Sequence, residues 1–498
     1  MSEDITILKT GAVRGFVQAD GPAPSNPYEY VGCLSLGGLA HELGDVTPVY
    51  CPSPSQPNTW DIVDEIPATP GLPSTDFTQH MDKLLRDFWW DIRRRGCRFN
   101  MQVLVIGCTR PDNFNDWDAK ILMRMNKLTA FNLPELNPLA GDGNAAADLT
   151  GTLMMREFDT IYPMNFGQVA DTTILAEVLD GLYYDAISCG ECGAPSDGCN
   201  KAYVLTHANG GSPGLSSQIV HTSDGWGTSS AVDIPSLAGQ SGHRMGIAGR
   251  DVIVLPDPLI VSARHHITTI AKVDADDASG WVAVSTGYVA VPRCIYVKSP
   301  SEIWIGGASG YIYFTSTPRS SVSVISDGSI TTQQFNDVDG HGNVVVFVGN
   351  NNAIVASENA GDSFFSITGP KVGVSITAVE VIDSKVWWIG YADGSTYYTL
   401  NGGTSWTQVN IDSAIVIIND IKFVNEVIGY MAVEVTGGSR VYRTTDGGYT
   451  WSYDASHPNI QGLPTAVRYN FVAPCGWNKV MAGGRETVGG DGMLAVAS

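Results

Sequence analysis

Residues 444–451 read TTDGGYTW. The same order of residue types returns at 399–406, TLNGGTSW, and at 357–364, SENAGDSF. One template covers all three: Ser or Thr, any residue, Asp or Asn, any residue, Gly, any residue, Ser or Thr, aromatic. Its fixed residues are Ser357, Asn359 and Gly361, then Thr399, Asn401, Gly403 and Trp406, then Thr444, Asp446, Gly448 and Trp451. Thr444 and Thr399 lie 45 residues apart, Thr399 and Ser357 42 apart. A fixed period of this size marks a repeat architecture and takes precedence over any local reading.

The Ser or Thr that opens each box serves as a ruler. Another step of 42 lands on Thr315 in YIYFTSTPRSS. Ser262, ending PLIVSA, and Thr222, ending SSQIVHT, precede it at intervals of 53 and 40, and Ser498 follows Thr444 by 54. That predicts seven repeats. The fifth shows the internal order best: TAVEVI, a turn at DS, KVWWIGYA, a turn at DG, STYYTL, the box, then WTQVNI. Short β-branched and aromatic runs bounded by Gly, Asp, Ser and Asn read as strands. Four such strands per period predict a β-propeller blade, with the box between the third and fourth strands. TTILAEVL, 172–179, is the expected ring-closing strand and LYYDAIS, 182–188, the first strand of blade one.

The box has a physical logic. An Asp or Asn side chain accepts hydrogen bonds from backbone N–H groups in a turn. Gly takes a positive φ without steric cost. The hydroxyl closes a local bond, and the aromatic residue packs into the blade. The motif resembles the Asp-box, or BNR, repeat of sialidases, sortilin-type receptors and photosystem II assembly factors. That resemblance implies a folding element on the outer rim, not a catalytic site.

Residues 1–165 have no box and a different grain. YEYVGCLSLGG, VTPVYCPSP, TWDIVDEIP and FNMQVLVIGC read as strands. In STDFTQHMDKLLRDFWWDIRRRGC, Phe77, Met81, Leu84, Leu85, Phe88 and Ile92 recur at 3–4-residue spacing. That spacing predicts an amphipathic helix capped by Ser74 or Thr75 and ended by Gly96. DAKILMRMNKLTAFNLP and DLTGTLMMREFDTIYPM, separated by LAGDGNAAA, read as a pair of long strands. The expected fold is thus mainly β: an antiparallel β-sandwich with one flanking helix over 1–165, then a seven-bladed β-propeller over 166–498.

This order of elements resembles the tail tube proteins of long-tailed phages. In that family sandwiches join edge to edge into a hexameric ring with an inner β-barrel, rings stack, and DNA passes through. The resemblance implies a virion protein assembled in the host cytoplasm. Its expected partners are itself, other tail proteins, DNA sliding through the lumen without specific binding, and a host surface glycan or protein met by the propeller. The alternative is a soluble glycan-binding or sialidase-like propeller.

Bulk properties agree with the first reading. The formal charge of −22 opposes a sequence-tolerant nucleic-acid binder, which needs a basic surface, and suits an acidic tube wall. MSEDITILKTGAV lacks the basic and apolar regions of a secretory signal, and no apolar run approaches the ~20 residues of a membrane span, so folding in a cytoplasm without membrane insertion is expected.

Reaction chemistry is scarce. GxGxxG, GxxxxGK[ST] and HExxH are all missing, so neither enzyme activity nor a cofactor is expected. A sialidase needs an arginine triad. Arg244, Arg250, Arg264, Arg293, Arg319, Arg440, Arg443, Arg468 and Arg485 stand at varied blade positions and are not expected to converge on the central pocket. Cys189, Cys192 and Cys199 with His207, expected past its strand, leave three readings open: zinc ligands, a disulfide, or free thiols. DVDGHGN, 337–343, and DADD, 274–277, hint at calcium but lack the full ligand run and are expected in turns. Arg93, Arg94, Arg95 and Arg98 complement a helix dipole or touch DNA. Trp387 and Trp388 are blade core or sugar-stacking platforms, with only one expected to point inward.

Overall fold

In a computed structural model, the residues described are 290–453 apart from position 319, the strands on either side of that stretch, and Trp89. The chain divides into two compact units, Met1–Pro163 and Met164–Ser498. Among the described residues no helix is long and apolar enough to cross a membrane.

The first unit carries β1 (Val13–Gln18), β2 (Glu29–Leu36), β3 (Thr47–Pro52), β4 (Trp60–Ile66), β5 (Ser74–His80), β6 (Phe99–Val105), β7 (Ala119–Asn132), β8 (Asp148–Met154) and β9 (Glu157–Ile161). β3 and β4 form a separate antiparallel hairpin. The others form one antiparallel sheet in the order β6-β1-β2-β5-β8-β7-β9, and β6 also pairs with β7, so six strands close into a circuit. β7 is 14 residues long. One edge pairs with β6, the other with β8 through Lys127–Asn132 and with β9 through Lys120–Arg124. The second expected long strand is therefore two strands in line along β7.

The helix expected from residue 74 does not begin there. Ser74–His80 is strand β5, paired with β2 on one side and β8 on the other. Thr75, Phe77 and Gln79 alternate with Asp76, Thr78 and His80, and two ladders of backbone bonds outweigh the helical spacing that Phe77 suggests. Phe77 is buried against Trp89, ring centroids 4.8 Å apart, and Trp89 itself is helical. Met81, Leu84, Leu85, Phe88, Ile92 and Gly96 fall outside the described residues, as do Arg93, Arg94, Arg95 and Arg98.

The second unit opens with β10 (Met164–Gln168) and continues as a series of antiparallel sheets. They are β11 (Gly181–Ser188), β12 (Ala202–Ala208), β13 (Gln218–Thr222), β14 (Ser230–Asp233); β15 (Gly242–Ala248), β16 (Asp251–Pro256), β17 (His266–Ala271), β18 (Val282–Ser285); and β19 (Pro292–Ser299), β20 (Glu302–Gly307), β21 (Tyr311–Thr317), β22 (Ser321–Asp327). Next come β23 (Phe335–His341), β24 (Val344–Gly349), β25 (Ala353–Ser357), β26 (Phe365–Thr368); β27 (Ile376–Val381), β28 (Trp387–Tyr391), β29 (Thr396–Thr399), β30 (Thr407–Val409); and β31 (Ile415–Phe423), β32 (Gly429–Val435), β33 (Gly438–Thr444). The last sheet joins β34 (Ile460–Gln461), β35 (Val467–Gly476), β36 (Lys479–Glu486) and β37 (Gly492–Ala497) to β10.

The seven sheets follow one another as blades one to seven, each beginning on an inner strand that lies beside the inner strands of its neighbours, with β11 beside β35 completing the ring. Two expectations need correction here. The strand that closes blade seven is β10, Phe166–Gln168 pairing antiparallel with Ala495–Ala497, and not 172–179, which lies outside the described residues. The third strand of blade two is β17, so Ala271 and not Ser262 ends it. The intervals from Thr222 to Thr315 then become 49 and 44, closer to the common period.

In the described blades burial peaks at the second strand and is lowest at the fourth. All five residues of β28 and all six of β24 are buried, as a strand between two neighbouring blades must be, whereas β26 and β30 are largely exposed. A short continuous apolar run such as VVVFVG is the sequence form of such a two-faced strand.

Candidate functional site: rim turns and the inner ring

The three box turns share one bonding scheme. In blade four, Ser357 Oγ donates to Asn359 Oδ1 at 2.9 Å and accepts from the Gly361 N–H at 2.8 Å, while Asn359 Oδ1 accepts from the Ser363 N–H at 3.0 Å. In blade five, Thr399 Oγ1 bonds Asn401 Oδ1 and the Gly403 N–H, both at 2.9 Å, and Ser405 N–H reaches Asn401 Oδ1 at 2.9 Å. In blade six, Thr444, Asp446, Gly448 and Thr450 repeat the pattern at 2.8–2.9 Å. Gly361, Gly403 and Gly448 have φ of +89°, +80° and +89°, the left-handed region that glycine enters freely.

Each of these glycines also faces an indole. A Cβ on Gly361 would meet Trp304 at 2.0 Å, and one on Gly448 would meet Trp388 at 2.2 Å; both tryptophans belong to the preceding blade. Blade four has Val346 where Trp304 and Trp388 stand, and there Trp387, from the glycine's own blade, lies 3.2 Å from a Cβ on Gly403. Trp387 and Trp388 are both fully buried, one on each face of β28, in the cores against blades four and six respectively. Neither is a sugar platform. Trp406 and Trp451 pack on them, centroids 6.5 and 5.8 Å away.

The inner ring is held by a second device that the sequence reading missed. Asn336 Nδ2 donates to the Ile376 carbonyl at 2.8 Å, and Asp337 Oδ2 accepts from the Val379 N–H at 2.9 Å. Asn419 and Asp420 repeat this on blade seven, gripping the Tyr469 carbonyl at 2.8 Å and the Val472 N–H at 2.9 Å. Between them, Thr377 Oγ1 donates to the Ile418 carbonyl at 2.5 Å and Glu380 Oε1 accepts from the Phe423 N–H at 2.7 Å. Asp339 Oδ2 accepts from the Val381 N–H at 2.6 Å. Each clasp ties one inner strand to the next. The legible signal was the dipeptide Asn-Asp, recurring inside two apolar strands as FNDV and INDI.

Lys422 sits among these carboxylates, Nζ 3.3 Å from Glu380 Oε2. Burial raises the Glu380 carboxyl to about 8, with Lys422 opposing and Asp339 reinforcing. Burial likewise lifts Asp420 to about 6 and raises Asp339. For Lys422 the surrounding carboxylates, Glu380 foremost, outweigh burial and raise its pKa well above the ordinary lysine value. Asp337 and Asp339 thus lie in strand β23, not in a calcium-binding turn, and Asp274–Asp277 fall outside the described residues. Among the described residues no group of His, Cys, Asp and Glu is arranged to hold a metal.

The other expected residues divide as follows. His207 lies within β12, opposite Leu182, and not past its strand; Cys189, Cys192 and Cys199 are outside the described residues. Arg244, Arg293 and Arg468 stand on the inner strands of blades two, three and seven, at different positions relative to the bulge in each. Arg440 bonds Asp412 at 3.0 Å and covers the Tyr453 ring at 3.8 Å. Arg443 is buried beside Tyr430, and Arg485 lies on β36. Arg250, Arg264 and Arg319 are outside the described residues.

No protein-family model and no curated protein matches the chain. Among solved structures, virginiamycin B lyase from Staphylococcus aureus superposes with a TM-score of 0.51 at 12% identity, covering 67% of this chain and 99% of its own. The second unit is a β-propeller. YCF48 from Cyanidioschyzon merolae matches with a TM-score of 0.48 at 16% identity, over 66% of this chain and 98% of its own. BamB from Moraxella catarrhalis matches with 0.37 at 13% identity, over 60% and 79%. At such identities the likeness is one of fold alone. The propeller's rim turns and inner clasps spend their polar groups on its own backbone.

Proposed function

We propose that the chain is a virion structural protein, a tail-tube-like subunit whose first unit assembles into hexameric rings and whose propeller is carried outside as a decorating domain. The observation that carries the reading is the 14-residue β7 with β8 and β9 in line along it, inside a sheet whose pairing closes on itself. At ~3.4 Å per residue such a strand reaches well beyond the common strand of five or six residues. In the tail-tube resemblance, a long hairpin of this kind builds the inner barrel. An acidic wall around the lumen lets DNA slide without binding.

In this reading the propeller does no bond chemistry. Its carboxylates and amides hold neighbouring blades together, which suits a rigid module that meets a host surface glycan or protein, or buttresses the tube. Negative-stain electron microscopy of the full chain over a range of concentrations tests the proposal. Stacked rings with knobs at the periphery support it. Bilobed monomers at every concentration overturn it.

A further inference from the structure

The three rim turns differ in one respect that has a chemical consequence. The central acceptor is Asp446 in blade six but Asn359 and Asn401 in blades four and five. The seat takes either side chain, because its last partner is a hydroxyl. Thr450 Oγ1 donates to Asp446 Oδ2 at 2.6 Å, whereas Ser363 and Ser405 Oγ accept from Asn359 and Asn401 Nδ2 at 2.9 and 2.8 Å. Asn359 is followed by Ala360; Asn401 is followed by Gly402, whose lack of a side chain leaves its nitrogen open to approach. Asn401 is exposed, and beside Gly402 lies the ion pair of Lys385 Nζ and Glu358 Oε1, 2.8 Å apart. In the closed turn the Gly402 nitrogen is held, donating to the Lys385 carbonyl at 3.0 Å.

We propose that Asn401 is a self-modification site, deamidated when the blade-five turn opens. The Gly402 nitrogen, having given its proton to solvent base, attacks Asn401 Cγ; the C–N bond to the side-chain nitrogen breaks and ammonia leaves. Water then opens the succinimide at one of two carbonyls. One branch yields aspartate at position 401, which fits the seat as Asp446 does. The other yields isoaspartate, whose extra backbone carbon separates Thr399 from the Gly403 and Ser405 N–H groups and breaks the turn. Opening of a local segment governs the rate, so the reaction is slower in the folded chain than in the unfolded one.

The test is peptide mapping by mass spectrometry of the full chain aged at mildly alkaline pH, with a urea-unfolded sample beside it. Expected is conversion at Asn401 with Asn359 unchanged in the folded chain, on the order of tenfold slower than in urea. Asn401→Asp should fold with an unchanged Tm. Asn401 remaining an amide in the folded chain after its full conversion in urea overturns the proposal. So does equal conversion of Asn359, or a Tm lowered by Asn401→Asp.

Discussion

The propeller is stabilised at two radii by two kinds of bond. At the rim, each turn closes on itself through partners two to four residues apart. At the inner ring, each clasp joins residues 40 to 52 apart, about one repeat. The rim bonds need only a local sequence to form, so a motif announces them. The inner bonds exist only when two blades are already side by side, so the Asn-Asp of FNDV and INDI shows in the sequence without showing what it grips. The rim gives each blade its shape; the inner ring gives the blades their order.

The glycines of the rim offer the sharpest test of that contrast. Gly448→Ala imposes both a left-handed φ and a Cβ 2.2 Å from Trp388, and should destabilise the propeller by ~3–5 kcal/mol in urea unfolding. Gly437→Ala, at φ +91° with nothing within 4 Å, should lose only about 1 kcal/mol. Equal losses at the two sites would mean that the Trp388 packing contributes nothing.

Inner and rim acceptors should separate next. Asp420→Ala leaves the Val472 N–H without its partner inside the ring and should destabilise by ~1–3 kcal/mol; Asp446→Ala, at a turn that water can reach, should lose about 1 kcal/mol or less. Asp420→Asn keeps an acceptor and should recover most of the loss.

The inner ring should also respond to pH. Glu380 and Asp420 bind protons more tightly folded than unfolded, so their contribution is full below the ordinary carboxylate range and is lost as pH rises through about 6 and then about 8. Glu380→Gln retains an oxygen for the Phe423 N–H and removes the charge. Its Tm should exceed that of the parent at pH 9 and converge with it near pH 5. A constant offset across that range would refute the assignment. The smallest effect belongs to the exposed Lys385–Glu358 pair, 2.8 Å apart, where Lys385→Ala should change stability by ~0–1 kcal/mol, and less at high salt.

How far the sequence could be read follows the same division. Ser357, Thr399 and Thr444 were legible as a ruler because each hydroxyl bonds within its own octet. Where the octet had decayed, the ruler slipped to Ser262, although the blade ends its third strand at Ala271. Trp387 and Trp388 could be placed on opposite faces of a strand, but not recognised as equally buried, because burial on the second face is supplied by the next blade. Phe77 fitted a helical spacing and a strand alternation alike, and only the ladders from β2 and β8 chose between them.

The chain's own periodicity therefore settled that there are blades and, in blades four to six, where the rim turns lie and which residues close them, since those bonds span a few residues and depend on local chemistry. Which strand seals the ring, which carboxylates face one lysine and which indole supports which glycine were decided only in the folded molecule. Those choices depend on residues brought together from a repeat or more away, and on burial that no single repeat can create.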